Sequence, residues 1–121
     1  MANPNIAALT TVKGKTVGVA ALLAATDLVS AVGSDKVLKI NSILVSNVDG
    51  TNSADISVFM DNDSGVDEDI YLAKSITVPA KSTLTVLSKE TPIYLQEGKR
   101  IAVIASSLGD LQAICSYEEI S

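Results

Sequence analysis

From Val37 to Tyr117 the chain runs as short stretches in which apolar and polar residues alternate, and turn-forming residues punctuate them. A period of two is the mark of a strand with one face buried, and turn signals every roughly 8–12 residues mark a sandwich or barrel. Leu38 and Ile40 share one parity and Ile43 and Val45 the other, so a β-bulge near Asn41-Ser42 is needed to bring all four inward. Ile56, Val58 and Met60 alternate against Ser57, and Phe59 sits on the outward parity. Leu111, Ala113, Cys115 and Tyr117 give the last strand its inner face. Between the runs stand Gly33–Lys36, Asp49-Gly50, Pro79–Ser82, Lys89–Thr91, a Gly-centred hairpin at Gln96–Lys99, and Ser106–Asp110. The expected fold is all-β, an antiparallel β-sandwich of about seven or eight short strands.

Two stretches need separate argument. Val17–Val32 is rich in Ala and Leu, which favour helix, and Gly33 stands where a helix would end. The competing reading is two strands, Thr16–Leu23 and Asp27–Val32. Strands are favoured because everything downstream is β and a lone helix would need its own docking face. Lys13 and Lys15 ahead of Val17–Ala25 imitate a secretory leader, but the apolar run is Ala-rich and starts late. It is also too short to span a bilayer, which takes about 20 apolar residues. The chain divides into an N-terminal arm over residues 1–15, extended around Asn3-Pro4, and one sandwich domain over residues 16–121.

Composition narrows the chemistry. The 121 residues are 47% hydrophobic but only 3% aromatic, so the core must be built from Val, Ile, Leu and Ala. Charged residues make up 19%, below the usual ~25%, which suggests that another subunit covers part of the surface. A net charge of −5 with no basic run argues against nucleic acid as a partner. The absence of histidine removes Ser–His and Cys–His nucleophile pairs and nearly all catalytic zinc sites. Glu118 and Glu119 are adjacent on a strand and so point to opposite faces, which rules them out as a pair flanking one glycosidic bond. Cys115 falls on the apolar parity with no cation beside it, as a buried, inert thiol would. The expectation is a protein that is not an enzyme and carries no resident cofactor.

One segment has the composition of a cation site. Between Asp61 and Asp69, oxygen-bearing side chains alternate around Gly65, and Ca²⁺ takes six to eight oxygens in flexible geometry. Asp61, Asp63, Asp67 and Asp69 are the candidate ligands. The run departs from an EF-hand loop in having Gly65 one position early and no Glu at the twelfth position. A solvated acidic loop whose charges block edge pairing accounts for it equally in kind, and better in degree. Candidate interface residues are Phe59, for its outward parity, and the basic pair Lys99 and Arg100.

The stretch VLKINSILVSNVDGTNSADISVFM (37–60) and the block IYLQEGKRIAVIASSLGDLQAICSYEEIS (93–121) resemble small virion proteins of tailed bacteriophages, notably those of marine and cyanobacterial phages. The resemblance rests on Ser46-Asn47-Val48-Asp49-Gly50 between two strands and on the closing Ser116-Tyr117-Glu118-Glu119. Gln96-Glu97-Gly98-Lys99 departs from the common Glu-Gly-Asp. The resemblance implies a jelly-roll-like sandwich on the virion, assembled in the host cytoplasm. Its implied role is a capsid cement or decoration protein bridging capsid subunits, or else a neck or tail accessory or a carbohydrate-binding recognition module. It implies as partners the chain's own copies, as a homo-oligomer and expected trimer, and the major capsid protein or other virion proteins, with neither nucleic acid nor membrane.

Overall fold

The computed structural model describes residues 11–62 and 69–121. Among them are nine strands: β1 (Val12–Ala20), β2 (Thr26–Val29), β3 (Val37–Asn47), β4 (Ala54–Asn62), β5 (Asp69–Val78), β6 (Thr83–Leu87), β7 (Ile93–Leu95), β8 (Lys99–Ala105) and β9 (Leu111–Ile120). The Ala- and Leu-rich stretch is therefore two strands, β1 and β2. β1 begins at Val12, so Val12–Lys15 belong to the sheet and not to the expected arm.

The first sheet has the order β1-β9-β3-β6, with β7 also paired to β3; the second has the order β2-β8-β4-β5. Every pairing is antiparallel. The pairings nest: β1 with β9, β2 with β8, β3 with β7 and β6, β4 with β5. A long hairpin wound around itself gives that nesting, which is the jelly-roll plan of two facing Greek-key sheets. Of the acidic segment expected to bind Ca²⁺, Asp61 lies near the end of β4 and Asp69 begins β5.

The core follows the alternation. The register of β3 against β9 shifts between Ile40 and Ser42, the bulge the parity requires. Beyond it Ile43 and Val45 join Leu38 and Ile40 inside, all at 5% exposure or less. Ile56, Val58, Leu95, Ile101, Val103, Leu111, Ala113 and Cys115 complete the contact between the sheets. Burying each such Val, Ile or Leu side chain is worth roughly 1.5–3 kcal/mol. The core is aliphatic, as the scarcity of aromatic residues requires.

One turn differs from expectation. Gln96–Lys99 is not a hairpin, because β7 lies in the first sheet and β8 in the second. It arches between the sheets and docks on the segment that follows β2, where Val32 N donates to Lys99 O at 3.1 Å and Gly98 N donates to Val32 O at 3.0 Å. Gly98 has φ +81°, a conformation that costs glycine nothing and a side chain something. Apolar alternation reports which face of a strand is buried and not which sheet the strand joins, so hairpin and arch read alike in sequence.

Candidate interaction surfaces

The outer face of the second sheet is organised by its own side chains. Arg100 on β8 is the register partner of Asp61 on β4. Its Nε donates to Asp61 Oδ2 at 2.9 Å and lies 3.7 Å from Asp27 Oδ1 on β2. The guanidinium thus ties three neighbouring strands together, and the basic residue expected at a subunit interface is engaged within the chain. Lys99 turns to the adjoining loop, its Nζ donating to Gln96 Oε1 at 3.4 Å.

Phe59 does point outward, as its parity requires, yet it is only 4% exposed. Bulges in the β4–β5 register set Tyr71 opposite it, with the two rings 5.3 Å apart at 46°. The Lys74 ammonium stands 5.0 Å from the Tyr71 ring centre. Tyr71 of the same chain packs on Phe59, so the ring is covered without a second subunit. Inference from parity identified the face; the bulges that bring Tyr71 over the ring have no sequence signal.

Of the candidate Ca²⁺ ligands, Asp61 is held by Arg100, and Asp69 is its cross-strand register partner. Asp63 and Asp67 lie outside the described residues. Among the described residues, no group of three or more acidic or thiol side chains is placed to hold a metal ion.

At one end of the sandwich a cleft of about 280 Å³ opens between the sheets, lined by Val17, Leu28, Val32, Lys36, Tyr117 and Glu119 among others. Glu119 accepts from Lys15 Nζ at 3.1 Å, and Lys36 Nζ is 3.7 Å from its other oxygen. The hydrogen bond from Lys15, with help from the charges of Lys15, Lys36 and Lys13, holds the Glu119 carboxyl below its usual range. It is therefore a fixed anion at neutral pH and no reservoir of protons. Cys115 is fully buried, and burial pushes its thiol up to about 12. The nucleophilic thiolate is accordingly suppressed.

The outer face of the first sheet is of another kind. The β1–β9–β3–β6 register lines up Thr16 with Ser116 and Ser42, Gly18 with Ile114, Leu44 and Thr85, and Ala20 with Gln112, Ser46 and Thr83. None of these residues is charged. Ile114, in the middle, is 43% exposed. Charge returns only at the far end, where Glu118 meets Lys39 at 4.0 Å and accepts from Asn41 Nδ2 at 3.2 Å. This face was legible as the parity opposite Leu111, Ala113 and Cys115, but its extent requires the strand order.

No protein-family model matches the chain, and no curated protein matches it. Among solved structures, the chain is similar to one described as "Bacillus endospore appendages form a novel family of disulfide-linked pili", at 8% identity and a TM-score of 0.53, covering 98% of this chain and 95% of that one. At that identity the likeness is one of fold, an all-β sandwich spanning the whole chain.

Proposed function

We propose that this protein is a non-enzymatic structural subunit of a phage particle, a capsid cement protein that works through its surfaces. The observation that carries the reading is the uncharged outer face of the first sheet, centred on the exposed Ile114 and flanked by Gly18, Ala20 and Leu44. A sheet face without charge costs less to desolvate than a charged one, and small side chains let another surface approach closely. The virion setting is supported by the likeness of residues 37–60 and 93–121 to phage particle proteins. The solved structure of similar fold is described as a pilus, itself an assembled polymer. Its disulfide linkage is not carried over, since the single cysteine of this chain lies in the core. A cement protein binds the assembled shell and not its free subunits, so by mass action it stabilises the shell.

The test is to assemble particles with and without this chain, and with an Ile114→Lys variant, and expose them to heat and osmotic shock. Reduced resistance of the deficient particles, and failure of the variant to attach, is the expected result. Intact heads that lack tails would move the role to the neck. Equal resistance and complete tails would overturn the reading.

A further inference from the structure

The four strand edges of this sandwich are not alike. β2 has four residues and a register shift. β5 carries two register shifts, a positive φ at Ser75 and an exposed Lys74. The remaining edge of the first sheet is divided between β6, of five residues, and β7, of three. Short, bulged or divided edges are the usual means of preventing strands from pairing between molecules. β1 carries Lys13 and Lys15 in its first half, but it is neither short, shifted nor divided: it runs nine residues in unbroken register with β9.

The hydrogen-bond phase of β1 is fixed by its ends. Thr11 and Ser121 exchange both backbone bonds at 3.0 Å, and Ala21 N donates to Leu111 O at 2.9 Å. In an antiparallel ladder such pairs alternate with pairs whose N–H and C=O point away. Odd-numbered residues of β1 therefore bond to β9, and Val12, Gly14, Thr16, Gly18 and Ala20 turn their backbone groups to the edge that no other described strand covers. A row of open donors and acceptors at strand spacing calls for another extended strand.

We propose that the occupant is β1 of a second copy, paired antiparallel about a twofold axis at Thr16. Thr16 is the midpoint of the strand, so this register uses its full length. It sets Val12 opposite Ala20, Gly14 opposite Gly18, and Thr16 opposite itself, each a position with open backbone groups. It also sets Lys13 opposite Val19 and Lys15 opposite Val17, so no lysine directly faces a lysine. Lys15 is further drawn to Glu119 of its own chain, at 3.1 Å, which neutralises the nearest diagonal pair. The first sheets then join in the order β6-β3-β9-β1-β1′-β9′-β3′-β6′, and their uncharged faces become continuous. Pairing an edge with itself closes on a twofold. The trimer implied by the phage resemblance would need a different, head-to-tail contact.

This inference names a partner for the structural subunit proposed above and rests on that reading, but the two fail separately. The test measures mass by light scattering for the full chain and for Thr16→Lys, Thr16→Glu and Gly18→Pro, with circular dichroism to confirm folding. A dimeric parent, monomers for each charged variant alone, and a restored dimer on mixing the two is the expected pattern, because only the Thr16 axis sets the two substitutions face to face. Gly18→Pro removes an edge-facing N–H while leaving the β9 ladder whole, and it too should dissociate the dimer. A monomeric or trimeric parent, or a dimer that survives the single charges, overturns the β1 pairing. None of these results alters the particle-stability comparison or the attachment of Ile114→Lys, which judge the cement role.

Discussion

The side-chain amide of Asn47, on β3 of the first sheet, donates to the carbonyl of Val78, on β5 of the second, at 2.9 Å. The same nitrogen donates to Asn52 O at 3.0 Å, while Oδ1 accepts from Asp49 N at 2.9 Å. Asn47 is 3% exposed, and these bonds satisfy it. The Ser-Asn-turn pattern that suggested a phage protein is thus a structural clamp: it fixes the turn after β3 and pins one sheet to the other. Asn47→Ala leaves buried partners without a bond and should cost about 2 kcal/mol in urea denaturation. Asn47→Asp keeps the acceptor for Asp49 N but loses both donations, so it should not restore stability.

Cys115 offers a readout of the closed core. With the thiol buried and pushed up to about 12, a thiol reagent at neutral pH should leave the native chain unmodified and label it fully after denaturant is added. Rapid native labelling would show that β9 opens locally.

Acid should weaken the fold in a defined window. Glu119 is lowered first by its hydrogen bond from Lys15, and Asp49 first by the backbone bond from Thr51 and then that from Asn52. A carboxylate whose folded value lies below its unfolded value binds fewer protons folded than unfolded. Its stabilising contribution is present above the usual carboxylate range and fades as pH falls through the depressed value. Melting temperature should therefore drop as pH is taken from about 5 toward 3. Lys15→Ala should flatten part of that slope, since it removes the leading cause of the Glu119 shift.

The Arg100–Asp61 pair bears on both the interface and the cation expectations. Asp61 is 16% exposed and Arg100 40%, so a double-mutant cycle should give a coupling of about 0.5–1 kcal/mol that shrinks with added salt. A cation at the β4–β5 tip would have to compete with the guanidinium for Asp61. Calcium should accordingly leave the melting temperature of the parent chain unchanged; a rise would show that the acidic segment binds it.

The class of fold and the inside of the sandwich are written in the residues themselves. Alternation placed Leu38, Ile40, Ile43, Val45, Ile56, Val58, Leu111, Ala113 and Cys115 in the core, and the parity break at Asn41-Ser42 required the bulge that is found there. These are local matters, because a strand with one buried face must write that face into every second residue. Which strands are neighbours is a property of the folded chain. Folding separates β7 from β8 into different sheets, lays Tyr71 over Phe59, joins Arg100 to Asp61 and Asp27, and leaves β1 as the long regular edge among the described strands. These relationships bring together residues far apart along the chain, and the side chain of each reads the same wherever its strand is placed. Sheet order is fixed by how the whole hairpin winds to bury both inner faces at once, and no single segment carries that information.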